Sequence, residues 1–216
     1  MAEAAAASDA LSVVTPTTTH FELAKALLAA GRHVLVEKPM TERSEQAAEL
    51  VRLAHERALV LQVGHVERFN PVFSYLETAA PEPRFIECHR LAPFKGRGAD
   101  VSVILDLMIH DLDVILSLVQ SEPARVSAVG VPVLTEDVDI ANARIEFASG
   151  AVANVTASRV STSAQRRFRV FQPNQYVSID FGSGFTLPLQ SVSFSFADLN
   201  GVTDLDASAG VRRIRG

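Results

Sequence analysis

The run His33-Val34-Leu35-Val36-Glu37-Lys38-Pro39 constrains the fold more than any other stretch. Val34 to Val36 reads as a short buried strand, and so aliphatic a strand wants both faces covered, as in a parallel α/β sheet. The strand ends in a charged pair and a proline. Ligands of such sheets bind beyond the carboxyl ends of the strands, where Glu37 and Lys38 sit. Pro39 fixes its own φ and biases Lys38 toward an extended backbone. Taken alone, the pair reads more simply as the opening of a surface loop.

The flanking sequence places this strand in a larger pattern. Leu11 to Val14 is a short strand ending at Thr15-Pro16. Thr17, Thr18 or Thr19 can cap a helix from His20 to Ala30, with Leu23, Leu27 and Leu28 on one side and Gly31 as its stop. After Pro39, Thr41 with Ser44 and Glu45 opens a helix to about Arg57, with Ala47, Leu50, Val51 and Ala54 at helical spacing. Leu59 to Val63 is a third strand, ending at Gly64-His65. Residues 11–64 thus read as β-α-β-α-β, half of a doubly wound parallel sheet.

From residue 65 the pattern changes. A helix follows Asn70-Pro71, Pro81 and Pro83 mark a linker, and Arg84 to Leu91 alternates as a strand. Lys95-Gly96-Arg97-Gly98 reads as a loop, and an apolar helix from Asp100 or Ser102 runs to about Gln120. Antiparallel signals follow: Arg125–Val131, then Ile140–Phe147 and Ala151–Val160 around Ser149-Gly150. Arg167–Gln172 and Tyr176–Phe181 then flank Pro173-Asn174, and Ser191–Phe196 is a further strand candidate. The expectation is α/β plus α+β: a partial Rossmann domain over 1–64, an open, mostly antiparallel sheet domain over 65–200, and a disordered tail over 201–216.

The helix after Asp100 is unusual in its polar residues. At 100° per residue, Asp106, His110 and Asp113 share one face and Asp111 points elsewhere. A buried carboxylate and imidazole cost free energy unless paired or used. An aspartate one turn before a histidine can fix its tautomer and raise its basicity, which suits a general base acting on a hydroxyl. A satisfied core network and a metal site remain open from this spacing alone.

Composition narrows the classes. With 216 residues, 48% hydrophobic, the chain can bury one large core or two modest ones. A net charge of −5 and no long basic run argue against nucleic-acid binding. Arg166, Arg167 and Arg169 alternate along a strand and read as a solvated face. The single cysteine, Cys88, can form no internal disulfide, which fits a reducing cytoplasm. The apolar run Val101 to Val119 carries four ionisable groups and is a poor membrane span.

Together, Thr15-Pro16 with His20, Glu37-Lys38-Pro39, and Asp106-x-x-x-His110 with Asp113 resemble, in order and spacing, the glucose–fructose oxidoreductase / inositol dehydrogenase (Gfo/Idh/MocA) family. The likeness runs from about residue 11 to about 181. It implies an NAD(P)-dependent oxidoreductase acting on a hydroxyl of a sugar, nucleotide sugar or cyclitol, with NAD or NADP as cofactor. By motif, Lys38, Asp106 and His110 would be catalytic, with His110 as general base. Thr15, Pro16, His20, Glu37 and Lys38 would line the cofactor cleft. Arg68, Asn70, Asp106 and His110 would face the substrate, and no metal is implied. Ala151 to Arg159 is similar to members acting on nucleotide-linked amino sugars, such as UDP-N-acetylglucosamine 3-dehydrogenases.

One part of the family pattern is missing. No Gly-x-Gly-x-x-Gly occurs; Gly96-Arg97-Gly98 and Gly182-Ser183-Gly184 do not continue correctly. The expectation is therefore an N-terminally truncated member, oligomeric or poorly soluble by itself, without tight NAD binding. The alternative is a non-catalytic remnant that dimerises through its open sheet.

Overall fold

Alanine-rich sequence forms the first element of the computed structural model, which describes residues 2–96, 101–182 and 190–193. This helix, α1 (Ala2–Ala7), was not expected from the sequence, although alanine is the strongest helix former. The chain divides into two units, Met1–Val66 and Glu67–Gly216. The tail over 201–216, the residues at Asp100 and those beyond Ser193 in the last strand candidate lie outside the described residues.

In the first unit, β1 (Ala10–Val13), β2 (His33–Val36) and β3 (Leu61–Val63) form a parallel sheet in the order β1-β2-β3. Val13 pairs with Val36, and Val36 with Val63. The crossovers are α2 (His20–Ala29) and α3 (Ser44–Glu56). Gly31 ends α2 as expected, at φ 76°. Its N–H donates to the Leu28 carbonyl, and that of Arg32 to Leu27, each at 3.0 Å. Thr19 holds the N-cap position, but its hydroxyl donates to the Pro16 carbonyl at 2.8 Å rather than capping the helix.

Leu27, Leu28, Leu50 and Ala54 bury one face of this sheet against Val13, Val34 and Val36. The other face is open. Ser12, Leu35 and Gln62 are in register across it, and Leu35 is 41% exposed. The expectation that both faces of β2 are covered therefore fails. With order β1-β2-β3 and right-handed crossovers, both helices fall on the same side. Val51 is exposed too, so the buried stripe of α3 is narrower than its spacing suggested.

The second unit is a seven-stranded sheet with two helices, α4 (Pro71–Ala79) and α5 (Ile109–Val119), packed on one face. Its strands are β4 (Phe85–Leu91), β5 (Pro123–Val131), β6 (Ile140–Phe147), β7 (Val152–Ser158), β8 (Gln165–Gln172), β9 (Gln175–Asp180) and β10 (Gln190–Ser193), ordered β10-β9-β8-β4-β7-β6-β5. All neighbours are antiparallel except β4 and β7. Both expected hairpins form, with Gly150 at φ 86° and Asn174 at φ 61°. Alternation decides burial: Ile86 and Cys88 of β4, Ala153 and Val155 of β7, and Phe168 and Val170 of β8 all turn inward. On the outer face Arg169 pairs with Glu87, its register partner, as a solvated face implies.

Candidate functional site

In the first unit, the strand ends gather the motif residues. Glu37 accepts the register of β1 through its N–H, which donates to the Val13 carbonyl at 3.0 Å. Its carboxylate lies over Gly64, where an added Cβ would stand 3.1 Å from Oε1 and Oε2. Lys38, half-buried, follows; its N–H donates to Glu37 Oε2 at 3.3 Å, and the Lys38–Pro39 peptide is cis. Thr15 and Pro16 are exposed, and the Thr15 and Thr19 hydroxyls bond at 2.7 Å.

His20 is buried, 1% exposed. Its Nδ1 lies 2.8 Å from the Pro39 carbonyl and its Nε2 2.8 Å from the Thr15 carbonyl. Carbonyls only accept, so a neutral ring donates to one of the two, whichever faces its N–H. The ring thus lies between the turn after β1 and the turn after β2.

In the second unit, the helix does not start as a regular α-helix. Ile104–Met108 is a π-helical turn, followed by α5. Bonding to i+5 shifts the phase, so regular angular offsets do not carry from Asp106 to His110. Asp106 and His110 are both half-buried. Among the described residues, no group of three His, Cys, Asp or Glu side chains comes together as a metal site would require.

Asp111 and Asp113, on opposite sides of α5, each hold an arginine. Arg68 donates from Nε and Nη2 to Asp113 at 2.8 and 2.7 Å, which raises the Arg68 guanidinium above its ordinary value. Asn70 caps α4, its Oδ1 accepting from the Val72 N–H at 3.0 Å. Both expected substrate-side residues thus have structural partners.

Sequence reasoning missed a buried network of charged groups. Arg90 donates from Nε and Nη2 to Asp111, both at 2.9 Å, and from Nη1 to Glu67 at 3.3 Å. Burial pushes the Asp111 carboxyl up, against the downward pull of Arg90. Burial alone would lower Arg90, but its two carboxylate partners hold it above its ordinary value. The signal was present: Arg90 is in phase with Ile86 and Cys88, so it had to turn inward and find an anion. Cys88 is fully buried, and burial pushes its thiol well up.

A second buried pair closes the far end of β7. Asp139 Oδ2 accepts from the N–H groups of Val133, Leu134 and Thr135 at 2.8, 2.6 and 2.8 Å, and Oδ1 accepts from the Thr135 hydroxyl at 2.8 Å. Burial would raise this carboxyl, but these bonds outweigh it and hold Asp139 well below the usual carboxylate range. Arg159 Nε lies 3.4 Å from Asp139, and its Nη2 donates to the Val101 and Val138 carbonyls at 2.6 and 3.1 Å. Beside this pair a hollow of about 380 Å³ opens, with Phe94, Lys95, Asp106 and Arg166 in its wall.

Known proteins match both units. Residues 1–65 match the oxidoreductase family with an NAD-binding Rossmann fold, and residues 80–174 match the GFO/IDH/MocA C-terminal domain. The UDP-N-acetylglucosamine 3-dehydrogenase of Acidithiobacillus ferrooxidans is 49% identical over 174 residues, 80% of this chain and 56% of its own length. The scyllo-inositol 2-dehydrogenase (NAD(+)) of Bacillus subtilis is 33% identical over 71% of this chain and 49% of its own. A solved structure of the Acidithiobacillus enzyme aligns with a TM-score of 0.81 at 47% identity, over 86% of this chain and 59% of that one. The chain spans about half the length of the curated relatives it matches. Parallel β-α-β-α-β unit, mixed open sheet and both domain matches agree: the chain belongs to the Gfo/Idh/MocA family of NAD-binding oxidoreductases.

Proposed function

We propose that this chain carries the catalytic residues of an NAD(P)-dependent dehydrogenase acting on a hydroxyl of a sugar, and of a nucleotide sugar in particular. The observation that carries this reading is the Glu37-Lys38-Pro39 strand end, beside a Thr15-Pro16 turn, in a chain 49% identical to a UDP-N-acetylglucosamine 3-dehydrogenase.

The strand ends fit one half of a dinucleotide. Thr15, Glu37 and Lys38 offer a hydroxyl, a carboxylate and an ammonium at the carboxyl ends of adjacent parallel strands, a donor set suited to ribose hydroxyls and a nicotinamide ring. The sequence carries no glycine loop for the pyrophosphate. When bound, the cofactor supplies the hydride acceptor.

The side chains supply the rest. His110 takes the proton of the reacting hydroxyl as general base. Asp106 accepts a hydrogen bond from substrate, and Lys38 supplies a positive charge at the strand ends of the first unit. Pro16 shapes the turn whose backbone His20 holds in place. Arg68 and Asn70 act from the substrate side, through Asp113 and the start of α4. The lone buried Cys88 favours a cytoplasmic setting. Exposed Val129, Val131 and Ile140 on the outer sheet face favour a homo-oligomer through that face.

The test is dinucleotide reduction with a panel of nucleotide sugars, free sugars and cyclitols. It uses the chain alone and the chain joined to an N-terminal half that carries the glycine loop. The joined protein should reduce NAD or NADP with at least one substrate, and Lys38→Ala and His110→Ala should each lower kcat by about 10²–10⁴-fold. No turnover with any member of the panel would overturn the reading.

A further inference from the structure

We propose that the hollow beside the π-helical turn of the second unit binds the diphosphate of a nucleotide-linked sugar, with Lys95 and Arg166 as its cations and Asp106 as acceptor for sugar hydroxyls. The sugar end of this assignment rests on the dehydrogenase reading; the diphosphate end rests on the hollow itself.

At about 380 Å³ the hollow falls within the range of small-molecule pockets. Its wall comes from four segments: the chain after β4, the π-helical turn, the end of β7 and the start of β8. Such widened turns occur often at functional sites, and this one brings Asp106 and Leu107 to the wall.

The charges in the wall are not equivalent. Arg159 is buried, paired with Asp139 and bonded to two carbonyls, so its charge is spent within the fold. Arg166 lies directly opposite Arg90 across the β4–β8 ladder. Like charges so placed repel, but Arg90 is already neutralised by Asp111 and Glu67. Arg166 is exposed and lines the hollow, as is Lys95. Among the described residues, two exposed cations from separate segments and one carboxylate thus line the hollow.

That balance suits a ligand with a dense negative charge at one end and hydroxyls at the other. A guanidinium offers a fork matched to phosphate oxygens, and the lysine adds a compact charge. Phe94, 42% exposed, gives an aromatic face in the same wall on which a planar base can stack. A neutral sugar or cyclitol gives these cations no counter-charge.

The test is calorimetric titration of the full 216-residue chain with UDP, UDP-N-acetylglucosamine, inorganic phosphate and free N-acetylglucosamine. UDP and UDP-N-acetylglucosamine should bind, and free N-acetylglucosamine should bind at least tenfold more weakly. Lys95→Ala and Arg166→Gln should each weaken UDP about tenfold and flatten its salt dependence, while Lys95→Arg should keep most of the affinity. Lys95 is exposed, so its variants test the site without threatening the fold. UDP binding that neither variant changes, or no UDP binding at all, would overturn the site. Inorganic phosphate binding as tightly as UDP would overturn the nucleotide assignment. UDP binding through Lys95 and Arg166 without turnover in the joined protein would sink the dehydrogenase reading and leave the site. Turnover indifferent to both variants would do the reverse.

Discussion

Arg90 of β4 and Asp111 of α5 meet through two parallel hydrogen bonds of 2.9 Å, and both side chains are 4% exposed. Removing one partner leaves the other charged and buried. Arg90→Ala should therefore cost about 3–5 kcal/mol in urea unfolding. Arg90→Met with Asp111→Leu and Glu67→Gln should recover most of that loss, because the triple change removes all three charges of the cluster.

The Arg68–Asp113 pair has equally short bonds but a different setting, since Arg68 is 48% exposed. Water competes for the guanidinium. Arg68→Ala should cost only about 0.2–1 kcal/mol in the same assay, and less at high salt. A loss as large as that of Arg90→Ala would mean that Arg68 carries the start of α4 with it.

Asp139 gives the second unit an acid sensitivity. Its folded carboxyl is held below the ordinary value, and the unfolded one titrates near about 3.9. Over that interval the unfolded chain binds more protons, so stability rises with pH. The contribution is whole above about pH 5 and disappears as pH falls through the folded value. Asp139→Asn should flatten the acid limb of a stability-against-pH curve measured by urea midpoints.

His20 bridges two turns through the Thr15 and Pro39 carbonyls. His20→Ala removes the ring's hydrogen bond and opens a cavity behind the strand ends. A loss of about 1–3 kcal/mol is expected, from one carbonyl left without its donor. Amide exchange should rise locally at Thr19, whose N–H bonds within the first turn, and at Glu37, whose N–H bonds to Val13 at the strand ends.

The fold was legible wherever periodicity met punctuation. Gly31, Ser149-Gly150 and Pro173-Asn174 marked their turns because few other residues tolerate those backbone angles. The open face of β2 was not legible, since Val34-Leu35-Val36 reads alike whether one side or both are covered. At the candidate site, the motif residues stood out, but their partners did not. Asp111 was read only as pointing away from the Asp113 face, because its counter-charge, Arg90, lies 21 residues away. A single sequence records neither helical phase slips nor contacts made across a sheet.

The parallel pair β4–β7 sets an order on folding. Phe85 pairs with Val152, 67 residues later, and with Phe171, later still, so β4 has no sheet neighbour close to it in sequence. Closing such loops costs entropy before any pairing repays it, and slow, non-local pairing is the consequence. On the ribosome the first unit can close its sheet once Val63 has emerged, since each strand pairs with the next. In the second unit the hairpins β5–β6–β7 and β8–β9 can form by themselves, and β4, the first strand of that sheet to be synthesised, must then find its place between them.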